Sequence, residues 1–326
     1  MPDDQHQPIQ TADEAQHAQR IRAAWIYHVE GKTQSEVAQE LGINRVAVTR
    51  LLSEARRRGE VTIGITSPLA DVVALERALE KHFALRRAVV APNTSPEDDP
   101  TRLIAAAAGR HVSDILRPDM TVGVGWGRTL HAMLDFLTPR HIEALRVISL
   151  LGGISEAKRF NPAEFAWAFA ELFDAEGFLI PAPALVDSPV TRHALLERCG
   201  LDQVFQIAEG SDVALISCGG LSQLTTSYRL GHVTQAEREQ LQEIGAVGDA
   251  LYNFLDAEGR PVDHSINRRA MSIDLDRLRK VDDRILISGG PEKLAILRAT
   301  IASLHPTTLI TDEVTARALL ADHGQI

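Results

Sequence analysis

The sequence predicts an α/β protein in two parts, an N-terminal all-α helix-turn-helix domain followed by a mostly parallel α/β domain. Residues 34–58 read as two short helices, QSEVAQEL and RVAVTRLLSEARRR, joined by the tight turn GIN. Beyond them, apolar strands repeatedly end in glycines and lead into polar or helical segments: TVGVGWG (121–127), VISLLGG (147–153), VALISCGG (213–220) and ILISGG (285–290). Strands alternating with helices build a parallel sheet covered by helices. The 326 residues also exceed what one core usually organises. The expected divisions are a disordered tail over 1–17, the helix-turn-helix domain over 18–66, and the larger domain over 67–326.

Residues 1–17 are polar, rich in Gln and Asp, and lack periodicity, hence the expectation of disorder. Residues 20–30 predict a helix with Ile21, Ala24, Trp25 and Val29 on one face, and Trp25 and Tyr27 bracing the head. Gly31 ends it. Thr33 caps the next helix, and Glu36 completes a capping box. In the helix-turn-helix, Val37, Leu41, Ile43, Val48 and Leu51 fill the apolar positions, Ala38 sits at the crossing and Gly42 supplies the turn. Such a pair lays its second helix in a major groove of DNA while the first crosses the backbone. An ordinary helical hairpin is the competing reading.

Asn44 is placed to cap the second helix. Arg45, Val46, Thr49 and Arg50 follow on its first turns, where Arg can read guanine and Thr or Val can touch a thymine methyl. Arg56, with Arg57 and Arg58, suits phosphate. Thr33, Gln34 and Asn44 complete the candidate DNA contacts. Residues 61–65 (VTIGI) alternate like a short strand leading out of the head.

Ser67-Pro68 marks the joint. Residues 69–82 form an amphipathic helix with Val72, Leu75, Leu79 and Phe83 on one side, either a dimerisation helix or the first helix of the second domain. A strand follows over 87–91 and a polar loop over 93–100. Further helices are expected over 102–116, 161–176, 191–198, 234–245 and 292–304. Ligands of parallel sheets bind beyond the carboxyl ends of the strands, so the four glycine clusters should face one rim.

Two of those clusters suit an anion. In Gly125-Trp126-Gly127-Arg128-Thr129, glycines admit backbone N–H groups close to a ligand, Arg128 adds charge, and Thr129 can cap the helix or donate to a phosphate. In Gly289-Gly290-Pro291-Glu292-Lys293, the lysine opposes the helix dipole, which argues for a role other than helix stability. Gly152, Gly153 and Gly219 belong to the same expected rim. Asp249, in GAVGDALY, can take two hydroxyls of a polyhydroxylated ligand. The competing readings are glycine turns used for packing, a solvated lysine and an aspartate at a helix N-terminus. Asp263-His264 and Asp312-Glu313 could form acid–base pairs, but acids beside turns are usually solvated, and that is the reading taken. The chain has no HExxH, CxxC, GxSxG or Walker-type loop, so no catalytic residue, metal or cofactor is assigned.

Hydrophobic residues make up 44% and charged residues 24%, ordinary for a globular protein. No apolar run is long enough to cross a bilayer, and no signal peptide opens the chain. Cys199 and Cys218 have no metal-ligand spacing, which fits a cytoplasmic protein with buried, reduced thiols. The net charge of −10 is unevenly spread. Residues 20–60 carry eight Lys/Arg against five Asp/Glu, a net +3, leaving −13 for the rest. A basic head on an acidic body keeps the body off phosphate.

YHVEGKTQSEVAQELGINRVAVTRLLSEARRRGEVTIGI (27–65) resembles the head of the SorC-type sugar-binding transcriptional regulators. VGVGWGRTL, SLLGG, GAVGDALYNFLDAEGRPV, SGGPEKLAIL and LITDEVTARALL resemble the body of that family, in the same order, to about residue 321. The resemblance implies a sugar-phosphate-isomerase-like domain used as a sensor, and homotetramers on pseudo-palindromic operators. The effector would be a small sugar, sugar phosphate or polyol, with repression relieved by it. It assigns Gly125, Gly127, Arg128 and Thr129 to the loop holding the effector's phosphate or terminal hydroxyls, Asp249 to its hydroxyls, and Lys293 to the GGxxK loop. Asn44 departs from the Ser or Thr of many relatives. Trp126 adds bulk to its loop, favouring a small or unphosphorylated ligand, and the body is most similar to the polyol-type regulators. The alternative is an isomerase- or deaminase-like enzyme with a regulatory head.

Overall fold

A computed structural model describes residues 12–61, 69–92, 99–154, 161–222 and 233–321. The chain divides into two compact units, residues 1–67 and 68–326. Most of the expected strand over 61–65, most of the loop over 93–100, and residues 1–11 of the expected tail lie outside the described residues.

The first unit is three helices, α1 (Ala12–His28), α2 (Gln34–Leu41) and α3 (Arg45–Arg57). Thr33 accepts from the Glu36 N–H at 3.4 Å while the Glu36 carboxylate accepts from the Thr33 N–H at 2.7 Å, closing the capping box. Gly42 adopts φ +64°, a left-handed conformation that costs glycine little, and turns the chain between α2 and α3. The Asn44 side-chain amide oxygen caps α3 by accepting from the Ala47 N–H at 2.8 Å. Val37, Ala38, Val48, Leu52 and Ala55 form the core with Ala23, Ala24 and Ile26 of α1.

Two expectations about α1 fail. Residues 12–17 are helical rather than disordered. The buried face also differs in part: Ala24 faces the core as expected, but with Ala23 and Ile26, whereas Ile21, Trp25 and Val29 are exposed, Trp25 by 58%. Alanines let α1 approach α3 closely. A helix carrying two apolar stripes gives no periodic signal for which one is buried.

The second unit opens with α4 (Leu69–His82), whose Val72, Leu75, Leu79 and Phe83 pack into the core of this unit; it is the unit's first helix. In chain order there follow β1 (Arg87–Ala91), α5 (Thr101–Ile115), β2 (Thr121–Val124), α6 (Arg128–Met133), β3 (Arg146–Gly153), α7 (Pro162–Leu172), β4 (Glu176–Pro183), α8 (Pro189–Glu197) and α9 (Asp202–Glu209). Next come β5 (Val213–Ile216), β6 (Cys218–Gly220), α10 (Gln235–Glu243), β7 (Gly248–Ala250), β8 (Asn253–Leu255), α11 (Ser265–Arg269) and α12 (Leu275–Leu278). The described chain closes with β9 (Asp283–Ile287), α13 (Leu294–Leu304), β10 (Thr308–Asp312) and α14 (Glu313–Ala321).

Seven strands form one sheet in the order β1-β10-β9-β5-β2-β3-β4, parallel throughout. Alternate residues of each strand enter opposite cores. Ala214, Ile216, Leu286 and Leu309 join one, with α4, α9, α13 and α14; Val213, Leu215, Ile285 and Ile310 join the other, with α5, α6 and α7. Burial on both faces is why these strands read as unbroken apolar runs. A second, antiparallel sheet pairs β6, β7 and β8. Residues 173–176, expected to continue a helix, instead turn at Asp174 (φ +53°) into β4. Pro181 and Pro183 mask β4 in the sequence, and an edge strand tolerates them.

Strand order reverses between β2 and β5: β2 leads to β3 on one side, β5 to β9 on the other. The crevice beyond their carboxyl ends is where a sheet of this kind holds a ligand.

Candidate effector site and DNA-binding face

At that crevice the loop after β2 meets the loop after β5. The Gly125 N–H donates to the Leu215 carbonyl at 2.8 Å, and Gly127 lies beside Ser217. The run VALISCGG is broken at Ser217, so β5 ends in the large sheet and β6 begins the small one. In the small sheet Gly219 pairs with Asp249. A side chain at Gly219 would come within 3.4 Å of the Asp249 carboxylate, so the glycine leaves that flank open. Gly248 must be glycine: a Cβ there would meet the Gly219 carbonyl at 2.3 Å.

Asp249 is in a strand, not at a helix N-terminus, and is only 5% exposed. Its carboxylate accepts the Tyr252 N–H at 2.9 Å. Burial pushes its pKa up to about 7, against the lowering by that one hydrogen bond. Leu251 and Tyr252 form the two-residue loop between β7 and β8, both left-handed with φ +55° and +59°. This is the primed hairpin turn that favours Asn-Gly, and bulky residues there are strained by roughly 1–3 kcal/mol each. Burial holds them: Leu251 packs against Gly125, and Tyr252 stacks on Trp126 with ring centroids 5.2 Å apart. Trp126 is thus turned into the core at 7% exposure, rather than standing as free bulk in its loop.

The third side is the loop after β9. Pro291–Lys293 forms a 3-10 turn, and Lys293 precedes α13. Asp312 pins this loop from β10, accepting from the Gly290 N–H (3.1 Å), the Thr315 hydroxyl (2.5 Å) and the Thr315 N–H (2.9 Å). Asp312 is therefore a buried clamp rather than the solvated turn acid that was expected. Replacing it with Ala leaves the buried Thr315 N–H and hydroxyl without their acceptor, while the Gly290 N–H keeps the Thr315 hydroxyl at 2.8 Å, and should cost roughly 2–4 kcal/mol. Glu313→Ala, which removes only a surface pair with Arg317, should cost under about 1 kcal/mol in the same denaturant titration.

Arg128 and Lys293 have no hydrogen-bond or ion-pair partner among the described residues. Both lower the pKa of Asp99, and Lys293 also acts on Cys218, which donates to the Ser288 hydroxyl at 3.3 Å. Two cations that share only the field of Asp99 among the described residues therefore stand beside the crevice that Asp249 closes. Thr129 does not cap α6; Gly127 holds that position and Thr129 is buried behind it. Gly152 and Gly153 are not brought to this group. The Gly152 N–H donates to the Met271 carbonyl at 2.7 Å, and the Gly153 carbonyl accepts from the Ala184 N–H at 2.7 Å. The thiols also divide, since Cys199 is exposed and only Cys218 is buried. Among the described residues, no group of His, Cys, Asp and Glu could hold a metal.

In the head, Thr33 and Asn44 are engaged in caps, and the Thr49 hydroxyl donates to Gln34 at 3.2 Å and to the Arg45 carbonyl at 3.1 Å. Arg45, Val46, Arg50 and Arg56 remain exposed along one face of α3, the three arginines without ion pairs among the described residues. Arg57 and Arg58 differ: Glu54 holds Arg57 at 2.9 and 2.5 Å and Arg58 at 2.5 Å, and these pairs hold its own pKa down at about 2. Sequence reading missed Glu54, Tyr252, Asp312 and Thr315. Only the Asp-x-x-Thr spacing before an apolar run could have flagged the last two, as a helix cap.

The family model Sugar-bind, a sugar-binding domain, matches residues 67–321. The chain belongs to the SorC-type sugar-binding transcriptional regulators. It is 31% identical to the transcriptional regulator LsrR of Klebsiella pneumoniae over 307 residues, 92% of each chain. It is 30% identical to the erythritol catabolism regulatory protein EryD of Brucella abortus, over 92% of this chain and 95% of that one. The full-length sorbitol operon regulator SorC of Klebsiella pneumoniae superposes with a TM-score of 0.71 at 26% identity, covering 94% of this chain and 99% of that one. These relatives are transcriptional regulators, so this SorC-type chain is a regulator and not an enzyme; the isomerase or deaminase alternative finds no support. Among the described residues no helix is long and apolar enough to cross a membrane.

Proposed function

We propose that this SorC-type regulator is a repressor of carbohydrate or polyol catabolic genes, acting in the cytoplasm as a homotetramer. α3 enters the major groove of the operator, with Arg45, Val46, Thr49 and Arg50 toward base edges and Arg56 toward phosphate; Thr33, Gln34 and Asn44 hold the helix ends in register. The effector lies at the crevice between β2 and β5. Its anionic end meets Arg128 and Lys293 beside the backbone of Gly125, Gly127, Gly289 and Gly290, and its hydroxyls meet Asp249 across Gly219. The observation that carries this is a buried carboxylate, Asp249, near the point where strand order reverses, together with Arg128 and Lys293, two cations without a hydrogen-bond or ion-pair partner among the described residues. That pairing favours a phosphorylated sugar or polyol over a neutral one. Binding acts on transcription by favouring one of two oligomer arrangements with different operator affinity.

A thermal-shift screen against sugars, polyols and their phosphates tests the sensor. A ligand that raises the melting temperature and also changes operator affinity supports it; a panel without a single shift sinks it. The head is tested separately. Arg50→Ala should weaken specific operator binding by about 1–3 kcal/mol and leave random DNA nearly unaffected. Arg57→Ala should change little, because Glu54 already engages that side chain. Equal losses on specific and random DNA would make Arg50 a phosphate contact.

A further inference from the structure

The outward stripe of α1 has no partner among the described residues of the head. Ile21, Trp25 and Val29 recur every four residues and are 37%, 58% and 60% exposed. An open groove of about 620 Å³ runs beside them, lined in part by His17, Arg22, Trp25, Glu30 and Glu40. An exposed tryptophan between two aliphatics on a soluble helix marks an interaction surface.

The stripe is symmetric about Trp25, with Ile21 four residues before it and Val29 four residues after. Two such helices laid antiparallel across a two-fold axis at Trp25 set tryptophan against tryptophan and each Ile21 against the other copy's Val29. The charges favour the same arrangement. Arg22 lies on the N-terminal side and has no ion pair among the described residues. On the other side Lys32 joins Glu30 (3.1 Å) and Glu40 (2.5 Å), a cluster with one net negative charge. Antiparallel helices bring Arg22 toward that cluster on the other copy, whereas parallel helices would set like charges against each other.

We infer that the Ile21–Trp25–Val29 stripe is a self-association surface on which a second copy of this chain docks its own α1, antiparallel, about a two-fold axis at Trp25. The contact is small, one tryptophan and two aliphatic side chains from each copy. It therefore acts between heads already held near one another, where effective concentrations reach the millimolar range. A two-fold pair of heads matches the symmetry of a palindromic site. The inference concerns the head alone and is independent of the effector reading.

Disulfide trapping in the full chain tests it, in a Cys199→Ser background because that thiol is exposed while Cys218 is buried. Trp25→Cys should give a covalent dimer on mild oxidation with diamide, without DNA or effector. Ile21→Cys and Val29→Cys should each stay largely monomeric on a non-reducing gel, yet cross-link when the two variants are co-expressed. Gln19→Cys, also exposed but on another side of α1, should not cross-link. All these positions are exposed, so the fold tolerates the changes, and a melting curve of each variant verifies it. Absence of a dimer at position 25, equal trapping at position 19, or dimers of Ile21→Cys alone and Val29→Cys alone would overturn the inference. So would a Trp25→Cys dimer that forms only after residues 1–11 are deleted, because the chain's own N-terminal segment would then be the occupant.

Discussion

Lys293→Met removes the response to a phosphorylated effector and leaves operator binding by the ligand-free protein unchanged. The methionine keeps the length of the stem and deletes the charge. Lys293 ends a 3-10 turn whose preceding residue, Gly290, is pinned by Asp312 and Thr315, so the ammonium is delivered by an anchored loop and not by a free surface arm. It makes no hydrogen bond or ion pair among the described residues, only a longer-range interaction with Asp99, so no hydrogen bond of the fold is lost when it goes. The melting temperature of the ligand-free variant should therefore stay close to the parent's. A hydrogen bond to a charged group is worth about 1.5–3 kcal/mol, which corresponds to roughly a tenfold to 150-fold loss of effector affinity. Arg128→Met should cause a loss of the same kind, and the double variant should lose less than the sum, because both cations address one anion. Mobility-shift titrations with and without effector measure this. An undiminished effector response in Lys293→Met would remove that residue from the site and favour a neutral polyol held by Asp249.

Chemistry between near neighbours was legible in the sequence. The Thr33–Glu36 capping box, the Gly42 turn and the Asn44 cap each depend on residues within three positions, and all form as read. The four apolar runs ending in glycine are legible for a related reason: strands buried on both faces leave no polar alternation to misread. Contacts between distant segments were not legible. Asp249 is opposite Gly219, and Gly290 is gripped by Asp312, pairings made only by sheet order. Gly152 and Gly153 look like Gly125 and Gly127 on paper, yet the Gly152 N–H and the Gly153 carbonyl are taken by segments packed beside β3. α1 misled for a different reason. Its more hydrophobic stripe faces outward, while small alanines, weak markers of burial, line the core. Free and sequestered arginines likewise look identical in the run 56–58 until Glu54 is placed beside two of them.

Asp249→Asn should make the protein more stable than the parent at neutral pH, by an amount that depends on pH in a defined way. Burial raises the carboxyl of Asp249 to about 7, while an unfolded aspartate titrates near 3.9. Between those values the folded protein keeps a proton that the unfolded chain has lost. Stability therefore falls as pH rises through this window, by up to about 1.4 kcal/mol per pH unit, and the loss stops growing above about pH 7. Asparagine never ionises and removes this dependence. Urea titrations of parent and variant should nearly coincide at pH 4, separate progressively to pH 7, and keep a constant gap beyond it. Effector binding should show the opposite pH preference. Ligand hydroxyls donating to the carboxylate favour its charged form, so affinity should strengthen as pH rises toward 7, with a proton released on binding below that. In Asp249→Asn the affinity should be weaker at pH 8 and keep only the pH dependence of the effector's own phosphate, whose second pKa is about 6. A stability gap that does not change between pH 4 and 8 would mean that the carboxyl is ionised throughout, with partners that stabilise its charge. Asp249 would then be a structural acid supporting the strained Leu251–Tyr252 turn, and the task of recognising hydroxyls would have to belong to other residues of the crevice.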